Sequence, residues 1–247
     1  MTSFDPVAEF DRRVRTLTGL GYPKLSRLTE ERFTALLEPL RAAVPTAAGA
    51  DRDLEAGRVP FVLAVTRELA PIEETMPRTA LHGGGPPGFV DRSFEPGALE
   101  RFTATPETRL PGQRAYLLTG VERGEEFCGV VPRDAMATIT GRGRSPLTIE
   151  EGIALLTRFP ELMVKNRCFS LGGSRSGDRR ATEAIIPVAA CAVGADQGDD
   201  RHEGSPPPLL PAPVVIDAPF WCEGRPLRRR RVLVGAFGAF GARGPGR

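Results

Sequence analysis

Residues 147–180, LTIEEGIALLTRFPELMVKNRCFSLGGSRSGDRR, hold the residue types best suited to gripping a small ligand. A short apolar run leads into two glycines, then Ser174, Arg175 and Ser176, then Arg179 and Arg180. Glycines and serines in a tight loop let successive backbone N–H groups converge on an anion. Arginines add forked donors that match a phosphate or a carboxylate. Ser174, Arg175, Ser176, Arg179 and Arg180 are therefore the candidate ligand residues, and a small anionic molecule is the candidate partner. The loop matches neither G-x-x-x-x-G-K-[ST] nor G-x-G-x-x-G, so no nucleotide cofactor is implied. Ser-Gly-Asp is also ordinary turn chemistry, and a plain polar turn explains the same residues.

Three other constellations carry weaker chemistry. His82-Gly83-Gly84-Gly85 has the look of an oxyanion-hole segment, but that role needs a G-x-S-x-G elbow. The nearest approach, GGSRSG at 172–177, does not match. Glu122, Glu125 and Glu126 follow an apolar run, where paired carboxylates could move a proton or hold Mg²⁺. An enzyme acting on a phosphorylated or carboxylated small molecule would bind it at the glycine loop and use Glu125 or Glu126. Arg123 interleaves these acids, which favours a solvated turn instead. RPLRRRR at 225–231 is a basic run, yet only Phe220 and Trp221 lie close enough in sequence to stack bases.

Composition narrows the classes. The chain has 247 residues, 40% of them hydrophobic, and a net charge of +2. It is long enough to bury a core without staples. The charge is too small to argue for nucleic acid. Lys24 and Lys165 are the only lysines, so nearly all the basic residues are arginine. Single arginines are accordingly expected on solvated surfaces, as the product of a GC-rich genome. Cys128, Cys168, Cys191 and Cys222 form no C-x-x-C pair and only two histidines, His82 and His202, accompany them. No metal site is expected, and the cysteines read as buried thiols. The first residues, MTSFDPVAEF, lack a basic-then-apolar leader, and no apolar run approaches the ~20 residues of a membrane span. A soluble, cytoplasmic protein is the expectation.

The elements that would position the loop can be read in order. Asp5-Pro6 caps and starts a helix with Val7, Phe10, Val14 and Leu17 on one face. Gly19, Gly21 and Pro23 end it. Thr29 caps a second helix carrying Phe33, Leu36, Leu37 and Leu40, and the two form an antiparallel pair. Residues 60–66, PFVLAVT, and 115–121, AYLLTGV, read as buried strands. Between them lie about 45 residues rich in proline and glycine, either a cover over a site or a meander of short elements. Residues 132–139 read as a helix. Thr148 and Glu151 form a capping box for another, ended or kinked at Pro160. A short helix over 161–165 and a strand over 168–171 lead to the glycines.

Residues 181–247 contain nine prolines and nine glycines, and no helix or strand period persists through them. The expected organisation is one α+β domain over residues 1–180 and a largely irregular Pro/Gly/Arg-rich segment over 181–247. Within the domain a helix pair would flank one small mixed sheet of three or more strands, with further covering helices. A third functional class follows from the tail, a protein–protein module that docks through its proline and arginine.

The segments FDRRVRTLTGLGYP, GRVPFVLAVTRELAP, AYLLTGVERGEEF and RGRSPLTIEEGIALLTRFPELMVKNRCFSLGGSRSGDRR together resemble domain of unknown function 5701, a family mostly of high-GC actinobacteria. The resemblance spans about residues 4–180, and the last segment is its most specific part. That family ends with tryptophan, cysteine and histidine, and residues 181–247 depart from the pattern. The resemblance implies a compact domain and no catalytic residues.

Overall fold

The structure is a computed structural model. It describes residues 4–47, 53–80, 82, 87–90, 94–106, 108, 110–127, 130, 132–162, 168–169, 171–176 and 236–237. The α+β reading holds. Helix α1 (Pro6–Gly19) starts where its sequence says it should: the Asp5 carboxylate accepts from Val7 N and Ala8 N, and Pro6 occupies the first turn. A single-turn helix α2 (Tyr22–Leu25) follows, with Pro23 in its first turn rather than after a helix end. Helix α3 (Glu30–Ala47) then returns along α1. Asp11, early in α1, binds Arg41, late in α3, at 2.7 and 2.9 Å, so the pair is antiparallel.

Strand β1 (Arg58–Val65) pairs antiparallel with β3 (Ala115–Glu122), from Arg58 opposite Glu122 to Val65 opposite Ala115. Between these strands lies the meander: α4 (Ile72–Thr75), two 3-10 turns and β2 (Phe102–Ala104). Helices α5 (Pro132–Gly141) and α6 (Ile149–Arg158) come next. A 3-10 turn (Pro160–Leu162) stands at the start of the short helix expected over 161–165. Strands β4 (Cys168–Phe169) and β5 (Ser174–Ser176) follow, and Ala236–Phe237 forms β6.

The sheet differs from expectation. Among the described residues the strands form three antiparallel pairs, β1–β3, β2–β5 and β4–β6, not one mixed sheet of three or more strands. β2 pairs with β5, about 70 residues further along the chain, and not with β1. Of the segment 181–247, only β6 falls within the described residues, so the expected irregular tail and the RPLRRRR run lie outside them.

The β1–β3 ribbon is buried on both faces. Phe61, Leu63 and Val65 join Phe10, Val14, Phe33 and Leu37 of the helix pair. Val62, Ala64, Tyr116 and Leu118 join Ile149, Ile153 and Leu156 of α6. Val59 and Val121 also lie on the α6 side, although Val59 is two residues from Phe61. Strict alternation would put residues two apart on one face. The phase therefore changes at Pro60 and Gly120, the one position within the register that does not pair. Pro60 has no N–H to give, and Gly120 sits at φ 61°, a left-handed conformation open to glycine. Arg144 Nη2 supplies a donor to the Gly120 carbonyl at 3.3 Å.

Several arginines do this, which corrects the expectation of solvated surfaces for them, while Arg12, Arg101 and Arg133 are exposed as expected. Arg13, 3% exposed, donates to the Phe61 carbonyl from α1. Its guanidinium carbon lies 3.7 Å from the Phe61 ring centroid and 4.9 Å from that of Phe159. Glu9 holds it at 3.2 Å and also binds Arg158 of α6 at 2.9 Å. Burial pushes the Glu9 carboxyl up, but hydrogen bonds and charge from Arg158 and Arg13 outweigh burial and hold it below the ordinary value. Arg123 donates to the carbonyls of Leu162 and Glu55 and to the Glu125 carboxylate. A side chain on Gly57, whose φ is 70°, would strike Arg123 Cβ at 2.4 Å.

Removing one member of a buried ion pair costs about 3–5 kcal/mol. Arg158 still neutralises Glu9 when Arg13 is lost, so Arg13→Ala is expected to cost about 3 kcal/mol by urea denaturation, the low end of that range. Arg13→Lys is expected to recover little, because an ammonium cannot span the Phe61 carbonyl and Glu9 together. A loss below about 1 kcal/mol, the scale of exposed pairs, would remove Arg13 as a structural element.

Candidate functional site

The candidate loop is built around the first turn of α6. Both halves of the capping box form: Thr148 Oγ1 accepts from Glu151 N at 3.4 Å, and Glu151 Oε2 accepts from Thr148 N at 2.7 Å. A third cap comes from far along the chain. Ile149 N donates to Ser174 Oγ at 3.0 Å. Two of the N–H groups that a helix start leaves unpaired are thus satisfied by Thr148 and Ser174.

Close packing against backbone requires glycine at 173. A Cβ on Gly173 would lie 2.6 Å from the Pro146 carbonyl oxygen and 2.7 Å from that of Leu147. Gly173 N donates to Leu147 O at 2.9 Å, Gly173 O accepts from Thr105 N at 2.9 Å, and Ser174 N donates to Leu171 O at 3.1 Å. A Cβ on Gly152 of α6 would meet Leu171 Cδ2 at 2.4 Å. The amides of Gly173 and Ser174 thus point into the fold. They are not gathered toward a ligand.

Of the candidate ligand residues, Ser174 is 1% exposed and serves α6. Arg175 and Ser176 are half-buried on β5, opposite Thr103 and Phe102 of β2. Strand alternation sends Arg175 to the face opposite Ser174 and Ser176. A ligand meeting Arg175 would therefore not also meet the two serines. Arg179 and Arg180 lie outside the described residues, as do Gly83, Gly84 and Gly85 of the His82 segment. Glu122, Glu125 and Glu126 are paired with Arg144, Arg123 and Arg142 respectively. Among the described residues no three His, Cys, Asp or Glu side chains gather to hold a metal ion.

Two groups that sequence reasoning did not single out complete the corner. Tyr116 of β3 donates to Glu151 Oε1 at 2.8 Å. Burial first, then the charge of Glu151, raises the Tyr116 hydroxyl well above its ordinary value. Arg67 binds Glu150 at 2.5 Å and donates to the carbonyls of Glu100 and Phe102 at 2.9 and 2.7 Å, tying α6 to the meander that carries β2. No local pattern marks either residue, since their partners lie 35 and 83 positions away. Glu9 and Arg13 did have a signal: a charged pair at i, i+4 beside the apolar stripe of α1.

These features define an α+β protein in which residues 147–176 interlock one helix start with a short strand pair. The chain belongs to a family of unknown function, DUF5701, which it matches over residues 16–204. The match reaches 24 residues beyond Arg180 (204 − 180), so the family pattern does not stop at the Gly-Asp-Arg-Arg turn, and residues past 204 are unmatched. Comparison with curated proteins and with solved structures finds no match. No described helix is long and apolar enough to cross a membrane.

Because the space at residue 173 is filled by backbone, Gly173→Ala is expected to lower stability by about 2 kcal/mol or more. Ser174→Ala removes one cap and is expected to cost about 1 kcal/mol. Chemical denaturation of the two variants checks both values. A neutral Gly173→Ala would mean that the loop is looser than this packing.

Proposed function

We propose that this protein is a cytoplasmic binding protein for a small phosphate- or carboxylate-bearing molecule, with Arg175 as its principal contact. One observation supports the reading above others. Residues 171–174 are buried and bonded to the α6 start and to the β2 end, so Arg175 leaves a rigid anchor. A guanidinium on a fixed base loses less freedom when it closes on an anion. Arg179 and Arg180 follow within five residues and would add forked donors. In this reading Ser174 supports the site and does not touch the ligand, and Ser176 is peripheral.

Binding is preferred to catalysis because Glu125 and Glu126, the acids a catalytic reading would use, are each held by an arginine. The cytoplasmic assignment rests on four cysteines with no framework spacing.

Thermal shift against inorganic phosphate and a panel of nucleotides and phosphate esters tests the proposal. A ligand at 100 times its dissociation constant adds about 2.7 kcal/mol of stability. The wild-type protein is expected to shift with at least one anion, and Arg175→Ala to fold normally and lose the shift. An equal shift in Arg175→Ala, or none with any anion, ends the reading.

A further inference from the structure

Glu151 stands apart from the other buried acids of this protein. Glu9 is surrounded by Arg12, Arg13 and Arg158. Glu150 is held by Arg67. Glu151 is 0% exposed, and among the described residues its carboxyl bonds to neutral donors, Tyr116 from β3 and the Thr148 backbone N–H at the start of its own helix. No cation forms an ion pair with it among the described residues. The charged group that acts on it is Glu150, its neighbour on α6, and that charge opposes ionisation. The nearby Arg67 is already committed to Glu150.

A buried carboxylate without a cation is costly, and such a group takes up a proton instead. Protonation keeps the Tyr116–Glu151 contact and reverses its direction. With the proton on Oε1, the carboxyl donates to the Tyr116 oxygen, whose hydroxyl turns to accept, while Oε2 still accepts from Thr148 N. The geometry also couples this group to the candidate strand: Glu151 occupies the third position of α6, and Ser174 of β5 caps the first. We infer that Glu151 is a proton-operated latch, which fastens α6 to β3 and β5 when protonated and loosens that corner when ionised. The latch does not depend on whether Arg175 binds an anion.

Burial, with Glu150 adding to it, pushes the Glu151 carboxyl up from 4.5 to about 7 against the pull of its hydrogen bonds to Thr148 and Tyr116. The folded protein then binds a proton that the unfolded chain releases near 4.5. Stability from this group is complete below 4.5 and is lost as pH rises through about 7. Within that window the folded-to-unfolded ratio falls about tenfold per pH unit.

The test compares urea denaturation of the wild-type protein, Glu151→Gln and Tyr116→Phe from about pH 5 to about pH 8.5, with amide exchange at Ile149 and Ser174. The wild-type protein should lose stability across the window, and exchange at both amides should rise beyond its intrinsic pH dependence. Glu151→Gln should be flat. Tyr116→Phe removes a donor to the carboxylate and should move the midpoint to higher pH. Equal slopes in the wild-type protein and Glu151→Gln, or a midpoint that moves down in Tyr116→Phe, overturn the latch. If Glu151→Gln does not fold, the carboxyl carbon shift of Glu151 in the native wild-type protein decides: titration near 7 sustains the proposal and titration near 4.5 overturns it.

Discussion

A guanidinium folded inward onto main-chain carbonyls is the interaction that the rest of this structure relies on. Arg13, Arg67, Arg78, Arg123 and Arg144 each donate to one or two main-chain carbonyls. Four of them are also held by a carboxylate, in the pairs Glu9–Arg13, Glu150–Arg67, Glu125–Arg123 and Glu122–Arg144. Two-stranded ribbons pair few of their own polar groups, and an unpaired buried carbonyl costs about 1–3 kcal/mol. The arginines let this protein bury such ribbons without broad sheets. Lysine, with a single compact charge, does not substitute for the fork.

The corner at α6 follows from the same need by other means. There the donors are helix N–H groups, and the acceptors that meet them are Thr148, Glu151 and Ser174. Glycine at 152 lets Leu171 come within contact of the helix, and glycine at 173 lets the loop backbone lie against Pro146 and Leu147 just before it. The residues of this segment are mutually fitted. That fit gives Arg175 a firm base, and it leaves Glu151 buried with no ion-pair partner among the described residues.

Local chemistry was legible in the sequence, and distant chemistry was not. Asp5-Pro6 and the Thr148–Glu151 box announce their helices because each acts within four residues. The runs at 60–66 and 115–121 read as strands because continuous apolar β-formers have few other homes. Pairing partners did not show: β2 and β5 meet across about 70 residues, and three-residue strands carry no period. The roles of Arg67 and Arg13 as carbonyl donors were hidden for the same reason, and an arginine-rich composition hid them further. The candidate loop was found by its residue types, yet those types serve packing at Gly173 and Ser174 as readily as they serve an anion.

The phase change at Pro60 and Gly120 carries one more consequence. A strand pair with unbroken alternation can slide by two residues and still bury the same faces. This ribbon cannot. Sliding either way would set Pro60 against Leu118 or Glu122, and the left-handed glycine against Arg58 or Val62. Between the two displaced steps, the strands would present their apolar residues to opposite helix layers. The irregular step therefore works as a key: it admits a single alignment, and a chain collapsing into any other finds no layer to bury it.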